Sequence, residues 1–403
     1  MTFPRLGPAC AAALAALLTA CGGGSTTSTP ETPSAPVQTR VDLLASSVRG
    51  IESIAFRGNT AYVSLSNSQL DGTSVMKTTL PLQASSTWTD VALGSCALGT
   101  TTQFTPTRAP RLKVLGSSVW LFQQWSDENS ATKTEHSLCV LEAGSTAFTP
   151  RDQGLQACAG GYCSTLWMTD LKQVGNRLFT NAGAGLNVFV SDDQGTSWRV
   201  LLGQFDSMIC THSAFSVVGD RVLVGGECPL DDAFLRAYPL TPDVKLASPA
   251  EVPLALPVLE NRNVQFIEPV PNSQRVFAGV EGGLLRSDDG GKTFKFVIQQ
   301  PLSGTQNYPY IRSFVSLSAK PTTLVVGGFD KAAAKPYLAW SSDGGDHWTD
   351  ISSLLPGYSS LNGTPTLAEV TSVTEDPQGR IIVTVNEDAN AKGRLLLLTL
   401  GAR

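Results

Sequence analysis

Charge is scarce in this chain. Of its 403 residues only 16% are Asp, Glu, Lys or Arg, and the formal net charge is −5. A binder of DNA or RNA neutralises phosphates in bulk, so no nucleic-acid partner is expected. Histidine is scarcer still. His136, His212 and His347 are scattered, and no Cys-x-x-Cys pair accompanies them. They form no ligand pattern, so neither a metal nor another cofactor is expected. No Gly-x-Ser-x-Gly elbow and no Walker-type phosphate loop is present, which removes two common signatures of nucleophile and nucleotide chemistry. The apolar run ACAAALAALLTA at 9–20 has 12 residues, whereas a membrane-spanning helix needs about 20.

That short run has a different use. It follows Arg5 and ends in Leu18-Thr19-Ala20-Cys21, the pattern of a secretory signal with a cysteine at its end. The four residues resemble the lipobox of bacterial lipoproteins. The resemblance implies removal of residues 1–20, with Cys10, and lipid on Cys21. It thus implies a membrane partner through the anchor. Gly22 stands where Asp would favour retention at the inner membrane. The resemblance therefore implies a bacterial cell envelope location, at the outer membrane, its side left open. Residues 21–39 hold the lipidated cysteine and then GGGSTTSTPETPSAPVQT, which has almost nothing to bury and reads as a flexible linker.

The remaining chain, 40–403, repeats. SDDQGTSW at 191–198, SDDGGKTF at 287–294 and SSDGGDHW at 341–348 share Ser, Asp, Gly and a terminal aromatic at fixed offsets. The fixed positions are Ser191, Asp193, Gly195 and Trp198; Ser287, Asp289, Gly291 and Phe294; and Ser341, Asp343, Gly345 and Trp348. Ser and Asp side chains close tight turns on nearby backbone groups, Gly accepts positive φ, and the aromatic fills the gap beneath. The octapeptides resemble the Asp-box, or BNR repeat, of sialidases, sortilin-type receptors and photosystem II assembly factors. In the third copy His347 replaces the usual Ser or Thr.

Spacing turns the motif into a ruler. Ser191 and Ser287 are 96 residues apart, and Ser287 and Ser341 are 54 apart. With the echoes STWTDV and STAFTP, the aromatics Trp88, Phe148, Trp198, Phe294 and Trp348 mark steps of about 52 residues, given one degenerate unit near Lys245. About seven such units fill 41–403. Each unit repeats polar turn, strand, strand, box and strand, as in GDRVLVGGE or NSQRVFAGV. That is the signature of an all-β propeller of seven four-stranded blades, with six or eight left open. The last unit stops after a third strand, GRLLLLTL, so residues 40–45 are expected to supply the fourth and close the ring. A monomer is expected.

Six cysteines remain after processing: Cys96, Cys139, Cys158, Cys163, Cys210 and Cys228. An even count in an exported chain favours disulfides, and six allow 15 pairings. The blade assignment favours Cys96–Cys139, Cys158–Cys163 and Cys210–Cys228.

The resemblance also implies where a ligand sits: on the face of the second-to-third loops and inter-blade links, opposite the boxes. Acids recur in those loops at Asp71, Asp127, Glu128, Asp231, Asp232, Glu281, Asp330, Glu387 and Asp388. Aromatic and arginine residues collect in the links. The candidate ligand-binding set is Trp125, Asp127, Tyr162, Asp231, Asp232, Arg262, Tyr308, Tyr310 and Arg312. Flat apolar faces beside polar groups suit a glycan or a protein segment. A sialidase-like hydrolase is the alternative. It implies three arginines on a carboxylate, for which Arg111, Arg262 and Arg312 are candidates, and Tyr308 or Tyr310 beside Glu260 or Glu369 as nucleophile pair. The Phe-Arg-Ile-Pro signature of that family is missing; Phe56-Arg57-Gly58 is its nearest echo. No catalytic residue is therefore assigned, and the expected role is binding or assembly.

Overall fold

Strands here come as antiparallel meanders because each short apolar run is bounded by a turn residue. The computed structural model describes residues 38–65, 74–97, 110–122, 136–155, 157–159, 162–164, 168–182, 187–203, 210–228, 232–248, 250–260, 262–299, 309–330, 335–356, 368–388 and 391–401. Cys21, Trp125, Asp127, Asp231 and Tyr308 lie outside them, and of Tyr162 and Asp232 only the backbone is described.

The fold is a seven-bladed β-propeller. Blade 5 shows the plan: Val264–Pro269, Val276–Val280, Gly283–Ser287 and Lys295–Gln299 pair in that order from the axis outward. The innermost strands of the other blades are Ile51–Arg57, Arg111–Leu115, Leu171–Val174, Thr211–Val218, Pro309–Ser316 and Glu369–Glu375. Central strands such as VFAGV and GLLRS are buried throughout, because neighbouring blades cover both faces. The outermost strand KFVIQ is exposed at its two ends and half-buried between them.

The core is divided in the same way. Among the described residues seven hydrophobic clusters occur, and each joins two adjacent blades. One of them links blade 7 to blade 1 through Ile382, Leu395, Ile51 and Ile54. The ring is thus closed by packing as well as by pairing. Pairing closes it as the sequence led one to expect: Arg40–Ser46 runs antiparallel to Ala391–Thr399 and completes blade 7.

Blade 4 is the degenerate unit. It has three strands, Thr211–Val218, Arg221–Cys228 and Asp232–Pro239. The outer position is taken by an irregular segment bridged at Ala237 and Val252, with Val244 and Leu246 packed on the cluster below.

Two of the expected disulfides are formed, Cys96–Cys139 and Cys210–Cys228. Cys158 and Cys163 are opposite each other in a small hairpin, Ala157–Ala159 with Tyr162–Ser164, between blades 2 and 3; their side chains are outside the described set.

The repeated octapeptides form one hydrogen-bonded turn three times. Ser287 Oγ donates to Asp289 Oδ1 (2.8 Å) and accepts from the Gly291 N–H (2.8 Å). Asp289 accepts from the Lys292 and Thr293 N–H groups and from the Thr293 hydroxyl. Ser191–Asp193 and Ser341–Asp343 repeat the pattern, with His347 Nδ1 in the place of the hydroxyl. The turn glycines also have a packing role. A Cβ on Gly195, Gly291 or Gly345 would fall 2.6, 2.8 or 2.9 Å from Trp120, Leu223 or Phe277, each in the second strand of the preceding blade. Each turn is therefore a clamp between blades. Its backbone also bonds the first-to-second turn of its own blade, as Gly290 N–H to Gln274 O and Gly344 N–H to Thr322 O. This is the box face.

Candidate functional site

The opposite end of the ring opens on the axis. A cavity of about 500 Å³ is lined by residues from the innermost segments of all seven blades. Its chemistry begins with a local irregularity. Five inner strands carry a one-residue bulge near their start, at Glu52, Ser213, Gln265, Arg312 and Thr371. A bulge leaves one residue out of the ladder and re-aims it, and all five line the cavity. Blades 2 and 3 contribute Arg111 and Asp170 at the corresponding place. Seven blades thus present seven side chains of six kinds around one mouth.

The bulges have partners in the second strands. In blades 4, 5 and 6 glycine stands opposite: Gly225 and Gly226, Gly279, and Gly327 and Gly328. Contacts at these glycines are tight; a Cβ on Gly279 would lie 2.1 Å from Phe266 and one on Gly328 1.7 Å from the Tyr310 carbonyl. In blades 1 and 7 hydroxyls pair across the bulge, Ser53 with Ser64 and Ser372 with Thr384, each at 2.8 Å.

Charges on the cavity wall are largely paired. Lys113 and Lys172 both reach Asp170 at 2.8 Å, and Lys172 continues to Glu268 at 2.6 Å and to the Ile267 carbonyl at 3.0 Å. This chain runs from blade 2 through blade 3 to blade 5, passing the Phe215 ring of blade 4. Burial alone would raise the Asp170 carboxyl. Lys113 and Lys172 outweigh it and hold the group far below the usual carboxylate range. Likewise burial opposes the charge on Lys172, and Asp170 with Glu268 raises its pKa nonetheless. Arg312 donates to Glu369 at 3.1 Å and stacks on Tyr310. Glu52 accepts from Asn386 at 3.1 Å.

Arg111 differs from these. Among the described residues no carboxylate lies within ion-pair distance of its guanidinium, and it makes no side-chain hydrogen bond. Desolvation lowers its pKa most and the Arg312 charge lowers it further, against opposing attraction from Glu52, Asp170 and Glu369. Gln265 Oε1 on the same wall is buried and has no hydrogen-bond partner among the described residues.

The sequence candidates separate on this frame. Arg111 and Arg312, 201 residues apart, face one cavity. Arg262 does not join them. It is 2% exposed, donates to the Glu281 and Gly282 carbonyls at 3.1 and 3.0 Å, and stacks on Phe296. It holds the second-to-third turn of blade 5. Tyr310 is half-buried against Arg312 and Phe329 and is not part of the cavity wall. Glu387, one of the loop acids, is paired with Arg394 at 2.8 Å. Among the described residues no cluster of three His, Cys, Asp or Glu side chains fits a metal ion, and no helix is long and apolar enough to cross a membrane. The glycine pairs in VGGE and VGGF were the available signal for the bulges, since glycine inside a strand marks a bulge or close approach.

No protein-family model matches this sequence, and no curated protein matches it. Solved structures do resemble the fold. One is YCF48 bound to a D1 peptide, at 14% identity and TM-score 0.50, covering 92% of this chain and 99% of that one. Another is the extracellular domain of a putative one component system from B. thetaiotaomicron, at 12% identity and TM-score 0.51, covering 89% of this chain and 39% of that one. A xyloglucanase of the GH74 class from Xanthomonas campestris gives 13% identity and TM-score 0.38, with 85% and 66% covered. At such identities the likeness is one of fold.

Proposed function

We propose that this chain is an exported, lipid-anchored propeller that binds a protein or glycan ligand at the mouth of its central cavity, in a binding or assembly role. One observation carries the reading: at the mouth, equivalent positions hold Glu52, Arg111, Asp170, Ser213, Gln265, Arg312 and Thr371, seven side chains of six kinds, acidic, basic and neutral. Repetition elsewhere in the ring serves packing, whereas this variety suits recognition. The peptide in the YCF48 structure shows that a propeller of similar fold takes such a ligand, which favours a protein segment.

The anchor reading fits the same geometry. Arg40 pairs with Thr399, at the end of a strand that runs from the mouth toward the box face. The chain therefore enters the propeller on the box side. A sialidase-like hydrolase is less well supported, because Arg262 is committed to backbone carbonyls away from the cavity.

The test is to screen the purified protein on glycan and peptide arrays, with fluorogenic glycosides in parallel. Retention of a ligand without turnover is expected. Glycoside hydrolysis would replace binding by catalysis. For the anchor, Cys21→Ser protein is expected to lose the lipid mass; an unchanged mass would exclude lipidation there.

A further inference from the structure

We infer that Asn386 is a positioning residue for the mouth: from blade 7 it fixes the bulge of blade 1, so that Glu52 meets a hydrogen-bond donor of the ligand. This rests on the proposed binding role and names the residue that aims one of its groups.

The geometry is one of three bonds across the closing seam. Glu52 is the bulged residue of blade 1, and Ile51 precedes it. The Ile51 N–H donates to Asn386 Oδ1 at 2.8 Å, and Asn386 Nδ2 donates to Glu52 Oε1 at 3.1 Å. The Thr371 hydroxyl lies 2.6 Å from the Ile51 carbonyl. A carbonyl only accepts, so Thr371 donates there. Its oxygen then accepts from Thr384 at 2.6 Å, and Thr384 accepts from Ser372 at 2.8 Å. Ile51 is thus held by blade 7 at both its N–H and its carbonyl.

The sequence explains the seat. Asn386 and Gly393 face each other on the second and third strands of blade 7. A Cβ on Gly393 would fall 2.6 Å from the Ile51 nitrogen, so glycine is what lets the two chains approach. Asn386 is 1% exposed, and a buried amide is costly unless it is bonded. Its orientation is set by partners of opposite kind, an N–H that needs an acceptor and a carboxylate that needs a donor. A flipped amide would lose both bonds. At other seams Ser53 Oγ accepts from the Leu112 N–H, and Ser313 Oγ from the Val373 N–H. Those bonds fix backbone; the bonds of Asn386 fix backbone and a mouth side chain together.

Glu52 is on the cavity wall and Asn386 is not. The effect of Asn386 on a ligand therefore passes through Glu52. A carboxylate only accepts hydrogen bonds, so the ligand group it meets is a hydroxyl, an amide N–H or a cationic N–H.

The experiment is a double-mutant cycle on the whole protein with Asn386→Asp, Glu52→Gln and the two combined, read on the glycan and peptide arrays and by urea denaturation. Asn386→Asp keeps the acceptor for the Ile51 N–H and replaces the donor that faces Glu52. Each single substitution is expected to weaken array retention at least tenfold, and the combined variant to be no weaker than Glu52→Gln alone. In urea the combined variant should recover most of the midpoint lost by Asn386→Asp, because the new amide donates to the new carboxylate. Should Asn386→Asp not fold, Asn386→Ala replaces it on the arrays. An equal loss from the Asn386 substitution in both backgrounds, or urea losses that simply add, would show a structural role and overturn the inference. Undiminished retention by Glu52→Gln would overturn it too and leave the binding role standing. Recovery in urea with nothing retained by the parent would keep Asn386 as the residue that sets Glu52 and remove the binding reading instead.

Discussion

The box face and the mouth are built from the same blades by opposite rules. On the box face three blades repeat one set of bonds, and Gly195, Gly291 and Gly345 each lie against the blade before. At the mouth six kinds of side chain occupy the seven corresponding positions, and one cation has no ion-pair partner among the described residues. Repetition satisfies a packing requirement that is the same at every interface. Variety at a fixed geometry is what a binding surface needs. A buried group left unsatisfied is one that a ligand could complete.

This contrast can be broken from the box side with large effects. Removing residues 40–46 strips the partner from Ala391–Thr399 and opens an apolar edge. Loss of soluble, cooperatively folding protein is expected; a deletion variant with the parent's melting curve would contradict closure. Next in size is Phe277, fully buried beneath Gly345 and against Trp348 and Phe314. Phe277→Ala should cost about 3–5 kcal/mol in chemical denaturation.

Smaller is the effect of Asp289, which closes its turn on two N–H groups and two hydroxyls. By the scale of helix-capping side chains, Asp289→Ala should cost about 1 kcal/mol. The same residue sets a pH dependence. Burial slightly opposes its charge, but hydrogen bonds from Thr293, Ser287 and Lys292 bring its pKa down to about 2. Asp193 and Asp343 are lowered as well, chiefly by hydrogen bonds within their turns. Unfolded Asp titrates near 4, so the folded state binds fewer protons and its advantage is full above that pH. It is lost as pH falls from about 4 to about 2. Thermal melts across that range should show a declining Tm, with a shallower decline in Asp289→Ala.

At the mouth the expected stability effects are the smallest and differ in sign. Arg111→Gln should leave stability within about 0.5 kcal/mol of the parent or raise it. Arg312→Gln should lower it, because Glu369 loses its partner. A drop for Arg111→Gln as large as for Asp289→Ala would erase the contrast between the two faces.

Much of the ring was legible in the sequence. The octapeptide at 287–294 and its two relatives set a period, and the period set the blade number. The short last unit pointed to Arg40–Ser46 as its missing strand. Degeneracy near Lys245 appears as the irregular outer segment of blade 4. Cys96–Cys139 and Cys210–Cys228 followed from the same assignment. These features are local or periodic, so composition and spacing carry them. The mouth was less legible. Whether Arg111 meets Arg312 depends on ring closure and on a bulge in blade 6, and neither is encoded near Arg111. Arg262 begins blade 5 as Arg111 begins blade 2, yet its fate is set by two carbonyls 19 and 20 residues away. Asp288, beside the fixed Asp289, is taken up by Arg275, Arg286 and Lys295, which spacing alone would not reveal.

The central claim is that recognition belongs to the mouth and ring stability to the box face. Its most direct test is array binding by the parent, by Arg111→Gln/Arg312→Gln protein and by Asp289→Ala protein. The double substitution is predicted to lose ligand at least tenfold, with Asp289→Ala matching the parent at neutral pH. Full retention by the double variant, or loss confined to Asp289→Ala, would contradict the account.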